Sequence, residues 1–447
     1  MRMRIARPKI AVIGAAMALA LGAGAFGIWR YSQAQPAASV TAQLQAAAGQ
    51  RPVDQTDQVI WDYQQRVRQN PDDVQSYAVL GAGYMQKVRD TGDPSFYAKA
   101  QAVLDEALKR DPQNVDALIG AGTLANARHK FHDALQLGEQ AKAINPTVPR
   151  IYGVIADAQI ELGLYDDAVQ TLQIMIDMRP DLSSYSRISY TRELHGDLAG
   201  AVEAMQAAVN AGGPATENSA WVRVQLGNLY FTQGDLAQAE QQYQHTLSLL
   251  PDYVYAQAGL GHVRAAQGKL DQAIGLYQSA IARMPLPEFV IALGETQQAA
   301  GRTAEANKQY ELVRAMEQLF KANGVDTDVE LALFDANHGQ DPVATLALAR
   351  DAYTRHPSIK AADTLAWALF KAGQIDDARR YADQALHLGT HDPLMLYHAG
   401  TIAQAQGDSV AARDWLTRAL ERNPGFSPLY APMARQALAN LSAAASK

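Results

Sequence analysis

The segment LGNLYFTQGDLAQAEQQYQHTLSLLP, from Leu226 to Pro251, is followed by LGHVRAAQGKLDQAIGLYQSAIARMP, from Leu260 to Pro285. Leu-Gly, Gly-x-Leu, Gln-Ala, Tyr-Gln and the closing proline all return after 34 residues, Leu226 to Leu260. A phrase repeated at this period marks a structural unit that cannot bury its apolar face alone and does so by stacking on copies of itself. Working outward in the same frame, the small residue after the Leu-like position reads Gly81, Gly122, Ala156, Ser189, Gly227, Gly261, Gly294, Ala366 and Gly400. Further on stand Ala100, Ala134, Ala168, Ala201, Ala239, Ala273, Ala306, Ala378 and Ala412, and then Pro112, Pro146, Pro180, Pro251, Pro285, Pro357 and Pro424.

Each slot has a physical reason. Helical periodicity runs from Asp57 to Leu441 with turn signals at short intervals, so the helices are short and paired. Small residues sit where two helices cross closely, and the spacing predicts Gly227 against Ala239 within one repeat. Gly163, Gly196, Gly234, Gly268, Gly301, Gly373 and Gly407 mark the turn inside each pair, where a left-handed residue stops the first helix. The proline keeps the second helix from continuing. The first copy carries extra residues around RDTGDPSFYAKA, expected to lengthen its inter-helix loop. The eighth puts Leu333 and Thr345 at the small sites, and VRAMEQLFKANG extends the second helix of the seventh. Val59 to Arg68 reads as a half-repeat, and FSPLYAPMARQALANL after Pro424 as a capping helix.

This pattern resembles the tetratricopeptide repeat family, whose signature is W-x2-L-G-x2-Y, then A-x3-F, then P. The fifth copy reads Leu226-Gly227-x2-Tyr230, Ala239-x3-Tyr243, Pro251, and the first reads Tyr77-x2-Leu80-Gly81-x2-Tyr84, Ala100-x3-Leu104, Pro112. The signature Trp is replaced in every copy. The resemblance implies an all-α, right-handed superhelical solenoid of about ten antiparallel helix pairs over residues 57–441, with a groove lined by the first helices. It also implies that the groove binds protein partners or extended peptides. Carried onto this chain, the groove positions that matter most are Asp157, Tyr190, Trp221, Asn228, Phe231, His262, Glu295, Trp367, Phe370 and Tyr397. His262, one repeat before Glu295, is placed to gain a proton in mildly acid medium. The Lys and Asn of the chaperone-binding carboxylate clamp are absent, since Asn228 is paired with Val224. No asparagine ladder exists either, with Val79, Gly120, Val154, Arg187, Gln225 and Gly259 at its position.

The N-terminus is organised differently. MRMRIARPK carries Arg2, Arg4, Arg7 and Lys9, and residues 1–9 read as a cytoplasmic stub. Ile10 to Trp29 is uncharged and long enough to cross a bilayer core of about 30 Å. It reads as a transmembrane signal-anchor or, with Ala23-Gly24-Ala25 as the cleavage site, as a signal peptide. Both readings place the repeats outside the cytoplasm. They predict an inner-membrane protein, single-pass with its N-terminus inside, or one released into the periplasm after cleavage. Residues 30–56, rich in Ala, Gln and Pro, read as a flexible tether.

Composition narrows the function. The net charge is −7, with Lys and Arg clustered only at the N-terminus, which argues against nucleic acid as a partner. The absence of cysteine excludes disulfides, thiolate metal sites and cysteine nucleophiles. No phosphate-binding glycine loop, G-x-S-x-G or H-E-x-x-H is present. His129 with His132, and His387 with His391, have metal-ligand spacing but fall in turns, so no metal or cofactor is expected. The expectation is therefore a non-enzymatic interaction scaffold of the bacterial cell envelope. The alternative is a periplasmic assembly factor or holdase for an envelope or cofactor-bearing client, with catalysis a more distant third. Self-association is compatible with the sequence but nothing in it points there.

Overall fold

The computed structural model describes residues 52–213, 216–339 and 341–445. The basic stub, the apolar stretch 10–29 and nearly all of the tether lie outside the described residues. Among the described residues no helix is long and apolar enough to cross a membrane.

The described residues form 22 helices and no strand. A lone helix, Gln55–Gln69, is followed by ten pairs, each a helix A and a helix B, and by a last helix, Tyr430–Ala445. Repeats 1 to 5 are Val74–Thr91 with Ser95–Arg110, Val115–Ala127 with Phe131–Ile144, Pro149–Glu161 with Tyr165–Met178, Leu182–Leu194 with Leu198–Ala211, and Glu217–Thr232 with Leu236–Leu249. Repeats 6 to 10 are Val254–Ala266 with Leu270–Arg283, Pro287–Ala299 with Thr303–Ala322, Asp328–His338 with Pro342–Arg355, Ile359–Lys371 with Ile375–Ala385, and Pro393–Gln406 with Ser409–Arg422.

The repeated residues do the work that their chemistry predicts. Asp197, Asp235 and Asp408 follow the turn glycine and accept from backbone N–H groups in the first turn of helix B, satisfying donors with no intrahelical partner. All seven turn glycines have positive φ. The close approach expected at Gly227 is made by Tyr243, one helical turn beyond Ala239. A methyl group on Gly227 would lie 2.5 Å from the Tyr243 ring, and one on Gly259 of the next repeat would lie equally close on the other side. The ring is sandwiched between two glycines. The same device recurs with Leu104 between Gly81 and Gly120, and with Tyr277 and Tyr310 against Gly261 and Gly294. In repeat 8 large and small exchange places: Leu333 stands in the glycine slot and Ala349 in the aromatic one, within one apolar cluster.

The extra residues of repeat 1 lengthen its helices rather than its loop. Helix A runs for 18 residues, and only Gly92, Asp93 and Pro94 separate it from helix B. This extension brings Gly92 against Met284 and Leu286 at the end of repeat 6. Such contacts continue along the array. His129 Nδ1 is 2.7 Å from the Asp326 carbonyl, 197 positions away. Ile359 N–H donates to the Tyr165 hydroxyl across 194 positions, and Asn423 Nδ2 to the Phe231 carbonyl across 192. Gly163 meets Pro357, and Gly196 meets Gly389. With about 34 residues per repeat, the solenoid completes one superhelical turn in between five and six repeats. The next turn then seats directly on the first.

Candidate functional site: the concave face

Helices A line the inside of the superhelix, and the geometry there is uneven. Toward the C-terminal end, neighbouring repeats and the cap fill part of the groove. Trp367 is 2% exposed, stacked on His398 at 4.1 Å with its indole N–H donating to Asn337. Tyr397 is 5% exposed and packs against Tyr430 and Phe426 of the C-terminal cap. Neither ring is free to receive a partner. Phe370 stacks on Trp367 at 4.9 Å and is only partly accessible. Phe231 packs beside His262 and offers its carbonyl to Asn423.

Asn228 and His262 serve the sandwiched tyrosines. Tyr243 donates to Asn228 Oδ1 at 2.7 Å, and the Tyr277 hydroxyl is 3.0 Å from His262 Nδ1. A buried phenol needs such a partner, and the next turn of helix A supplies it. Glu295 pairs with His338 at 3.1 Å rather than with His262. The proton-gaining pair expected from sequence is therefore not formed. Tyr190 is half-buried, with the Lys360 ammonium 5.0 Å above its ring and Glu161 3.5 Å from its hydroxyl. Nearby, Glu193 is pushed up to about 7, by burial first and by the Asp392 carboxylate second, against the pull of Lys360. Trp221 is 39% exposed.

An open stretch of the concave face lies at the start of the array. Repeats 1 to 4 enclose a cavity of about 410 Å³ lined by Gln75, Ala78, Val79, Ala82, Arg89, Asp116, Gly120, Thr123, Arg150, Gly153, Asp157 and Arg187, among others. Its floor of Ala, Val and Gly residues lets another backbone approach closely. Arg187 grips Asp157 with two hydrogen bonds of 2.8 Å, and Arg150 reaches Asp116 at 2.5 Å. Of the ten residues expected from sequence, only Asp157 lines this cavity. Arg89 and Arg187 were missed. Arg187 stands 30 positions after Asp157, the spacing of neighbouring helices A, and that relation was legible.

Neither histidine pair converges on a metal site. His129 turns to Asp326, His387 Nδ1 donates to the Gln384 carbonyl, and His391 lies 3.3 Å from Arg422. Among the described residues no group of three or more His, Cys, Asp or Glu is placed to hold an ion.

Sequence profiles for the tetratricopeptide repeat match residues 93–149, 224–286 and 364–425, and a second profile of the same description matches 125–188. No curated protein matches the chain. Solved structures similar to it include a human IFIT1 dimer with PPP-AAAA, at 14% identity over 85% of this chain and 93% of that one, with a TM-score of 0.45. The Cut9–Hcn1 hetero-tetramer of the APC/C has 15% identity over 90% and 98%, with a TM-score of 0.38. MamA has 17% identity over 38% and 92%, with a TM-score of 0.30. The matched segments are tetratricopeptide repeats, and arrays of such repeats are protein-interaction scaffolds.

Proposed function

We propose that the chain is a protein-interaction scaffold of the bacterial cell envelope, held at the membrane by residues 10–29, that binds an extended partner segment in the groove of repeats 1 to 4. The cavity there carries the reading, and toward the C-terminal end of the array Trp367 and Tyr397 pack on the chain itself. Its small-residue floor admits a backbone, and its rim presents both signs of charge in Arg89, Asp116, Arg150, Asp157 and Arg187. A segment of mixed charge can exchange these internal ion pairs for intermolecular ones without leaving a charge unpaired. Support for the envelope is the basic start followed by the uncharged stretch from Ile10 to Trp29.

A photo-crosslinking residue at Ala82, on the groove floor, is expected to capture a partner in cells, while the same residue at Gln238 on the convex face captures none. Capture from Gln238 alone would place binding on the outside of the superhelix. A phosphatase reporter fused after Lys447 tests the location separately, and activity confined to the cytoplasm would sink it.

A further inference from the structure

Repeat 5 departs from the others in the slot of the signature tryptophan. That slot lies four positions before the small residue of helix A. In repeats 1, 2, 3, 7, 9 and 10 it holds Tyr77, Leu118, Tyr152, Val290, Ala362 and Leu396, all of them buried. In repeat 5 it holds Arg223. A charge seldom enters such a slot without a partner of opposite sign. Among the described residues Arg223 has no carboxylate within ion-pair distance, and burial lowers its pKa with no acid near enough to oppose it. Its guanidinium donates to Gln242 Oε1 at 3.3 Å, which leaves most of the donor fork uncommitted. Glu217, the one acid of that helix, accepts instead from the Tyr253 hydroxyl at 3.1 Å. Arg223 lines a cavity of about 370 Å³ between the ends of helices B of repeats 4 and 5 and the start of helix A of repeat 5. Val209, Ala220, Leu249 and Leu250 make apolar walls there, and the Thr216 and Ser219 hydroxyls, 2.8 Å apart, add a polar edge.

We propose that this cavity binds a small aliphatic carboxylate, its head group paired with Arg223 and its chain laid on Val209, Leu249 and Leu250. Small-molecule sites span about 300–1,000 Å³, and this one falls in that range. A guanidinium presents a planar fork that a carboxylate meets with two parallel hydrogen bonds. Inorganic phosphate would meet the fork as well, but it has no apolar part for the walls to cover. Arg223 is only half-buried, so the fork is reached from outside, and a bound carboxylate supplies the negative charge that the chain itself does not place there. The site shares no residue with the groove of repeats 1 to 4, so the two can be filled independently.

Hexanoate is the probe, titrated into the full-length chain by calorimetry, with hexylamine and hexan-1-ol as controls of equal chain length. Saturable binding of hexanoate alone is expected, together with slower amide exchange at residues 216–223 and 245–250. Arg223→Gln and Arg223→Tyr should each weaken hexanoate at least tenfold. Both substitutions suit the fold, because Gln257 and Tyr152 hold the same slot in repeats 6 and 3, and unchanged melting would verify this. Hexanoate affinity unaltered in both variants, equal binding of either control, or no saturable binding would overturn the proposal. So would N-acetyl-leucyl-leucine binding at least tenfold more tightly than hexanoate while its C-terminal amide fails to bind, an outcome that would give the site to the end of a protein chain.

Discussion

Replacing Gly227 by Ala should destabilise the array although Ala is the better helix former. Exchanging Gly for Ala in a helix interior normally stabilises by up to about 1 kcal/mol. At Gly227 the added methyl would meet the Tyr243 ring at 2.5 and 2.9 Å. The ring cannot retreat, because Gly259 holds it as closely from the other side and the side chain is 1% exposed. Any shift also strains the 2.7 Å bond from its hydroxyl to Asn228. Overpacking of this kind costs about 1–3 kcal/mol, and the lost bond about 0.5–1.5 kcal/mol more. The net expectation is a loss of about 1–3 kcal/mol. Gly275 is the control, since it is exposed in the interior of Leu270–Arg283 and a methyl there meets nothing within 4 Å. Gly275→Ala should raise the melting temperature and Gly227→Ala should lower it. Because repeat arrays need not unfold in one step, hydrogen exchange resolved to repeats 5 and 6 should accompany the melts. Equal shifts of the same sign in both variants would refute the sandwich.

The other expectations concern contacts between turns and a buried acid. Glu317 is 6% exposed, its Oε2 atom has no hydrogen-bond partner, and burial, with Glu330 adding, pushes its pKa up to about 7 against the Thr327 hydrogen bond. An acid whose folded pKa lies above its unfolded one binds more protons when folded, so its penalty is absent below about pH 4.5 and complete above about pH 7. Glu317→Gln should therefore raise the melting temperature at pH 8 and leave it unchanged at pH 4.5; a shift of equal size at both would contradict this. His129 is the one residue other than glycine with positive φ among the described residues, at 57°, in the slot that other repeats fill with glycine. His129→Ala loses the bond to Asp326 and keeps the strained backbone, whereas His129→Gly loses only the bond. Denaturant titration should find the Ala variant less stable by about 1 kcal/mol.

Much of the fold was legible because a repeat writes its packing into one period. The turn glycines are a local demand and stand where the spacing placed them, whereas the crossing at Gly227 was matched to Ala239 and is made by Tyr243, because spacing alone does not say which side chain of the facing helix fills the gap. The extra residues of repeat 1 were misassigned because a length excess does not say whether a loop or its helices absorb it. The site was less legible for a different reason. Superhelical pitch is the sum of small rotations between repeats, and no single residue encodes it. Tyr165, His129 and Asn423 read as ordinary turn and helix-end residues, yet they join positions 192 to 197 apart. Trp367 and Tyr397 do lie on helices A, but side chains of the adjacent repeats and the C-terminal cap bury them, a packing that their place in the period does not reveal.

Closure of the superhelix is most directly tested by a distance between its turns. Spin labels on Leu164→Cys and Pro357→Cys, introduced into a chain that has no other cysteine, flank the contact between Gly163 and Pro357. The account predicts a single narrow distribution at the short limit of pulsed dipolar spectroscopy. A broad distribution centred at long distance would show turns that stand apart and would contradict a superhelix closed by the contacts of Gly163 with Pro357 and of Gly196 with Gly389.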